Sequence, residues 1–347
     1  MRLGPIGTFV PHTALTVADV TAEAGLPDAK ARFYRDYLGF RDIPRSPGHS
    51  LADMLTAAGR EALRGTDPRG VRQVLYAHIG EDADPAGDDP TGAQLLDGVR
   101  TALGLDHAPA FSVGQMNCAA GLFALFLAEQ LLAPADSGSV LLLTGDRVAR
   151  PRQGVIPGIA VVADAAAACV VGPRVPGDRL LGSAFRTYGR FYRSLGGADP
   201  DREREYTRFY APALAAVIEE ALGEAGTGLD GVRWIVPHNV NRLSWKGVAK
   251  ELGIPFSQVF LDNLPRLGHA NCSDPYLNLA SLRASGRLGP GDMYVLATVG
   301  LGATFGAAVL ERGDERCDER ENGRENGRGS EREYEPGNGR GRSHGEL

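Results

Sequence analysis

The chain has 347 residues, 43% of them hydrophobic and 23% charged, enough apolar material for two ordinary domains or one large fused one. A formal charge of -6 excludes a nucleic-acid binder, which needs a basic field to neutralise phosphates. The four cysteines, at 118, 169, 272 and 317, form no CxxC pair or Cys/His cluster, so the sequence implies neither a metal site nor a disulfide framework.

A reduced, cytoplasmic protein is the expectation. Met1–Leu15 lacks a basic segment followed by an apolar one, so no targeting leader is read there. The most apolar helical stretch, Cys118–Ala133, carries Glu129 and Gln130 and is too short to cross a bilayer. It reads as a buried helix, and no membrane partner is expected.

Strand and helix signals alternate along the first 312 residues. Strand-like runs are Gly4–Val10, Gln73–Ile79, Ala110–Val113, Ser139–Thr144 and Ala167–Val171. A second series follows at Leu180–Phe185, Trp234–Pro237, Gln258–Leu261, Met293–Val299 and Gly306–Leu310. Amphipathic helical segments intervene at Leu51–Arg64, Gly92–Leu103, Thr207–Ala225 and Ser244–Leu252. Short apolar strands between helices predict parallel or mixed sheets covered on both faces.

The two series end alike. GSVLLLTGD and AAAACVVG in the first parallel GDMYVLATVG and FGAAVLER in the second, which suggests a duplicated α/β unit. The predicted division is 1–174, 175–312 and a charged tail at 313–347, with the break between the halves near Pro173–Asp178. The tail holds 17 charged side chains and eight glycines with almost nothing apolar, and reads as disordered. Cys317 lies in it and is given no chemical role.

Three residues stand out for chemistry. Cys118 follows the strand AFSV and opens the helical run CAAGLFALFLAEQLL. A thiol at a helix N-terminus faces unpaired amides and the positive end of the helix dipole, which favour the thiolate. By position alone it is either a nucleophile or an inert buried cysteine. His238 ends the strand WIVP, at the sheet end where α/β folds place ligands, or is a histidine satisfied structurally. Asn271, in GHANCSDP, is a site residue or a turn asparagine. His269 and Cys272, its close neighbours, are given structural roles.

Taken together, the segments carry a resemblance. NCAAG, WIVPHNVNRL followed by KELGIP, LGHANCSD, and GDMYVLATVGLGATFGAAVLER occur in an order that resembles 3-oxoacyl-(acyl carrier protein) synthase III of the thiolase-fold condensing enzymes. The resemblance runs from residue 3 to about 311. It implies an α/β protein with a thiolase-like five-layered αβαβα fold built from two duplicated halves, and a homodimer. It also implies a Cys118–His238–Asn271 triad, in which the thiolate takes an acyl group from a thioester. His238 and Asn271 would stabilise the enolate formed when a malonyl-type extender loses carbon dioxide. The oxyanion hole would be the backbone of Cys118 and of the turn Gly300–Leu301–Gly302.

The resemblance further implies acyl carrier protein as partner, with acyl-coenzyme A or acyl-carrier thioesters as substrates and no bound cofactor or metal. Arg242, Lys246 and Lys250 recur every four residues on one helical face after His238, and comparable positions in the family meet the acidic carrier. Only three lysines occur in the chain, and two of them lie on that face.

Departures from the family pattern bear on substrate. Asn117 replaces a small apolar residue, VADAAAA at 162–168 retains only Asp164 and alanines, and Phe33 and Tyr37 stand where an aromatic and an arginine cover the coenzyme A adenine. The loop expected to wall the acyl pocket reads EDADPAGDDPTG. These features favour a carrier-bound donor and a specialised-metabolism relative, such as one in polyketide synthesis. Decarboxylative condensation is the first expectation. The alternative is acyl transfer to oxygen, nitrogen or a carrier thiol, for which an acidic residue in the asparagine's place would suit deprotonation of the acceptor. A papain-like protease shares the Cys…His…Asn order, but nothing around Cys118 matches one. A non-catalytic partner subunit has little support, since all three residues are present.

Overall fold

The structure is a computed structural model that describes residues 1–79, 93–132, 138–192, 194 and 199–314. The acidic loop EDADPAGDDPTG, Cys317 and all but the first two residues of the charged tail lie outside the described residues. Met1–Gly313 form one compact unit, and the expected break near Pro173–Asp178 falls between two strands within it.

The main sheet is built from β1 (Arg2–Phe9), β2 (Val71–Ala77), β3 (Ala110–Val113), β4 (Ser139–Asp146), β5 (Ala165–Gly172), β6 (Asp178–Thr187), β7 (Val232–Pro237), β8 (Met293–Gly300) and β9 (Thr304–Glu311). Its order is β7-β8-β9-β6-β1-β5-β4-β2-β3. From the outer edge inward, the first half reads β3-β2-β4-β5-β1 and the second reads β7-β8-β9-β6. Parallel β2–β4 is repeated by parallel β7–β8, and antiparallel β4–β5 by antiparallel β8–β9. The second half is the first without its third strand.

That missing strand is the expected run Gln258–Leu261. It survives as one parallel bridge, Ile235↔Val259, with Phe260 N donating to Ile235 O at 2.9 Å. Phe256–Gln258 forms a 3-10 turn before it, and the chain enters the short helix Leu264–Leu267 just after it. Too few extended residues remain for a ladder.

Alternation along the strands builds the layers. In β4, Val140 and Leu142 join one core while Leu141 and Leu143 join another; in β8, Tyr294 and Leu296 face the first core while Val295 and Ala297 face a third. The shared core takes up helices α3 (Ala120–Leu131) and α6 (Asp274–Ala284), sandwiched between the two half-sheets. Helices α1 (Leu51–Ala62) and α2 (Ala93–Ala102) cover the first half, and α4 (Pro200–Glu224) and α5 (Arg242–Glu251) the second. Five layers result, helix–sheet–helix–sheet–helix.

Caps set several of these boundaries. Ser50 and Asp53 close a reciprocal capping box on α1. Asp199 caps α4, with Pro200 at its first position, so the helix starts seven residues before the expected Thr207.

The halves join where β1 and β6 pair antiparallel through Arg2↔Arg179 and Leu3↔Asp178. Asp178 is fully buried there. Arg283 of α6 donates to it at 2.6 Å, Arg312 at 2.8 Å, and the Tyr294 hydroxyl closely. Arg283 also donates to the carbonyls of Gly4 and Leu3, so one guanidinium ties both halves together. Burial alone would raise the Asp178 pKa; the Arg283 charge and the hydrogen bonds from Tyr294, Arg312 and Arg283 outweigh it and leave the pKa lowered.

Asp178→Asn should cost about 3 kcal/mol in urea unfolding at pH 7, because two buried guanidinium groups lose their counter-charge. The folded carboxyl titrates below its unfolded value, so its contribution is complete above that value and fades as pH falls through the folded one. The difference between wild type and variant should therefore hold above pH ~4 and shrink below it. A constant difference down to pH 2 would contradict the assignment.

Candidate active site

Two turns of the same construction meet at the centre of the molecule. After β3 the chain passes through Gln115 (φ 63°) and Asn117 (φ 48°), makes the 3-10 turn Asn117–Ala119, and continues as α3. In the second half Asn271 (φ 50°) opens the 3-10 turn Asn271–Ser273, which continues as α6. Each turn is an Asn-Cys pair whose asparagine lies in the left-handed region that asparagine tolerates better than most residues. This accounts for Asn117 where a small apolar residue was expected.

The turns touch through backbone. A Cβ on Gly121 would fall 2.4 Å from Cys272 O, and the Cys272 thiol donates to Asn117 O at 3.3 Å. A Cβ on Gly300 would fall 1.7 Å from Met116 O, so only glycine lets the end of β8 approach the nucleophile turn. Thr298 donates to Cys118 O at 3.1 Å, and Asn117 Nδ2 to Leu301 O at 3.3 Å. The expected oxyanion turn Gly300–Leu301–Gly302 thus lies beside Cys118, and Leu301 shares its cavity.

Cys118 is 4% exposed. Its sulfur lies 3.2 Å from His269 Nε2, and His269 Nδ1 lies 2.5 Å from Asp274 Oδ2. Asp274, the first residue of α6, also accepts from Asn239 N at 2.6 Å and Ala270 N at 2.7 Å. Burial by itself would lower the His269 pKa. The Asp274 carboxylate, the Cys118 sulfur and the hydrogen bonds to both reverse that and raise it well above the usual 6.5.

The structural role given to His269 is therefore corrected: it is the imidazole in hydrogen-bond contact with the candidate nucleophile. Asn271 is near as well, its Oδ1 3.9 Å from the sulfur, beyond the reach of a short contact. The sequence does contain a signal for the missed pair. His269 and Asp274 stand on either side of Asn-Cys-Ser, the counterpart of Asn-Cys-Ala at 117–119.

His238 ends β7 as expected and lines the same cavity, with no hydrogen bond to the sulfur. Its Nε2 lies 3.1 Å from the Tyr210 hydroxyl, and its carbonyl accepts from Trp245 Nε1 at 2.8 Å. Nδ1 has no hydrogen-bond partner among the described residues. Burial, then the neighbouring His269 charge, push its pKa down to about 3, with the Ala297 carbonyl opposing. His238 is neutral at physiological pH.

The cavity over Cys118 holds about 360 Å³. Tyr206 and Tyr210 of α4, Leu243, Ser244 and Gly247 of α5, and Ile156–Ile159 line it with the two histidines. Helix α5 starts with Asn241 Oδ1 accepting from Ser244 N at 2.7 Å and carries the expected basic residues. Lys246 and Lys250 are exposed and Arg242 half-buried. Phe33 and Tyr37 stack at 5.8 Å, with Tyr37 62% exposed. Asp164 accepts from Ser46 N and Val148 N, both at 2.8 Å, and so serves the backbone. Among the described residues no His/Cys/Asp/Glu group could hold a metal, and no helix is long and apolar enough to cross a membrane.

Comparison with known proteins agrees with this architecture. Residues 222–312 match the family described as 3-oxoacyl-[acyl-carrier-protein (ACP)] synthase III C terminal. The beta-ketoacyl-[acyl-carrier-protein] synthase III of Thermosynechococcus vestitus is 29% identical over 338 residues, covering 89% of this chain and 97% of the relative. Among solved structures, ChlB3, described as an acyltransferase, superposes with a TM-score of 0.75 at 23% identity over 90% of this chain and 97% of its own. The priming beta-ketosynthase of the R1128 polyketide pathway also gives a TM-score of 0.75, at 21% identity over 90% of this chain and 96% of its own. At such identities the two structures speak for the fold, and the sequence relatives for the kind of enzyme. The chain is similar to the 3-oxoacyl-(acyl carrier protein) synthase III enzymes, which belong to the acyltransferase class, and shares the thiolase fold of the solved structures.

Proposed function

We propose that this enzyme loads an acyl group from a thioester onto Cys118 and passes it to a hydroxyl, amine or thiol acceptor, with His269 as base and Asp274 orienting it. The observation that carries the proposal is the Cys118–His269–Asp274 line, with contacts of 3.2 Å and 2.5 Å. Asp274 stands three residues after Asn271 rather than in its place, and through His269 it supplies the carboxylate that suits deprotonation of an acceptor.

Proton movement follows from the electrostatics. The proton rests on His269, held there by Asp274 and the sulfur, so Cys118 attacks the thioester carbonyl as the thiolate of that pair. When the tetrahedral intermediate collapses, His269 returns that proton to the leaving thiol. The acylated sulfur no longer carries charge, so one of the causes raising the His269 pKa is gone. Neutral His269 then accepts the acceptor's proton as its oxygen, nitrogen or sulfur attacks the acyl carbon. Backbone amides of Cys118 and of the turn at 300–302 are proposed to hold the oxyanion in both steps.

Condensation remains the second reading, favoured by the name of the Thermosynechococcus relative and by a neutral His238 in the cavity. A carrier-bound donor is proposed for either reaction, with Arg242, Lys246 and Lys250 of α5 meeting its acidic surface next to Leu243 at the cavity wall.

Incubation with labelled malonyl-type thioester and with hydroxyl or amine acceptors separates the readings. Ester or amide product without carbon dioxide supports transfer, whereas a 3-oxo product with stoichiometric carbon dioxide overturns it. Cys118→Ala should carry no covalent acyl mass, and stoichiometric loading of that variant would remove Cys118 from the mechanism. Asp274→Asn should lower turnover by roughly 10²–10⁴-fold, since the imidazole loses both its orientation and its counter-charge. Lys246→Glu combined with Lys250→Glu should raise KM for carrier-bound donor and flatten its salt dependence. An unchanged KM would place carrier docking elsewhere.

A further inference from the structure

The contact between Tyr210 and His238 bears on which reaction the site can run. The Tyr210 hydroxyl lies 3.1 Å from His238 Nε2, and both residues line the cavity that holds Cys118. A neutral imidazole has one N–H and one lone pair, and His238 Nδ1 has no partner among the described residues. Whichever nitrogen carries the proton, Nε2 is held by the tyrosine: it either accepts from the phenol or donates to it. His269 is engaged at both nitrogens, by Cys118 and Asp274. Neither His238 Nε2 nor either nitrogen of His269 therefore presents an uncommitted N–H to a second thioester in the cavity.

Decarboxylation needs such a donor. When a malonyl thioester loses carbon dioxide, the electron pair of the breaking C–C bond passes to the α-carbon and the thioester oxygen. That oxygen becomes an enolate, and a pre-placed N–H lowers the barrier. We propose that Tyr210 is a positioning residue that sets the outcome of the reaction: by holding His238 Nε2 it withholds that donor from the enolate and leaves the acyl-enzyme to the acceptor. The proposal rests on the transfer reading above and names the residue that keeps the site to it.

Tyr210→Phe keeps the ring and removes only the oxygen. With carboxyl-labelled malonyl-coenzyme A and acyl-loaded full-length enzyme, the ratio of carbon dioxide released to acyl loaded should rise at least tenfold over wild type. Adding His238→Ala should return it to the wild-type ratio. A merely structural tyrosine would lower both quantities without creating release. Tyr210→Met, which also lacks the hydroxyl, serves as the second variant and should show the same gain. A folded, loading Phe or Met variant with no rise in the ratio overturns the proposal while leaving acyl transfer intact. Wild type that itself releases carbon dioxide as fast as it turns over overturns the transfer reading instead.

Discussion

A buried carboxylate at the first residue of a core helix organises the centre of this enzyme. Asp274 receives the His269 ring and two backbone amides, one from its own turn and one from the loop that follows β7. The start of α6 favours negative charge through its unpaired amides. The carboxylate in turn fixes which face of His269 meets the Cys118 sulfur. Loss of any of these contacts would leave a charge in a dry interior, a penalty of several kcal/mol that keeps the arrangement in one geometry.

Duplication makes this geometry possible. Ahead of its last two strands, each half delivers an Asn-Cys turn and a helix to the shared layer, and the turns pack backbone against backbone. The first turn supplies the sulfur. The second, with the same backbone, supplies the histidine just before it and the aspartate just after. Cys272 occupies the place of Cys118 in the repeat, fully buried, with its thiol spent on the Asn117 carbonyl. Burial, and then nearby negative charges, raise its pKa well above the usual thiol value. One copy of the turn thus holds a sulfur at the cavity while the other holds an inert one.

Much of the fold was legible because its signals are local. Alternating apolar residues in SVLLLTGD and MYVLATVG follow the strand period, and the small-residue run at 165–172 marks a strand pressed between two helical layers. Gln258–Leu261 misled, because its apolar residues are buried by a single bridge and a turn rather than by a ladder. Cys118 could be read from its place at a helix start. His269 could not be read the same way: it stands five positions before Asp274, a spacing that shares no face of a helix or strand. Only the left-handed backbone at Asn271 folds the segment back so that ring and carboxylate meet. Asn271 itself stood out for its chemistry, and its backbone conformation accounts for the residue.

The central claim is that the Cys118 sulfur and the Asp274 carboxylate together hold the proton on His269. A ¹⁵N NMR titration of the His269 ring in the intact protein and in Cys118→Ala tests it most directly. The account predicts a His269 pKa well above 6.5 in wild type and a clear fall in the variant, where the sulfur is absent. A His269 that titrates at or below the ordinary value in wild type, and is unmoved by loss of the sulfur, would contradict it.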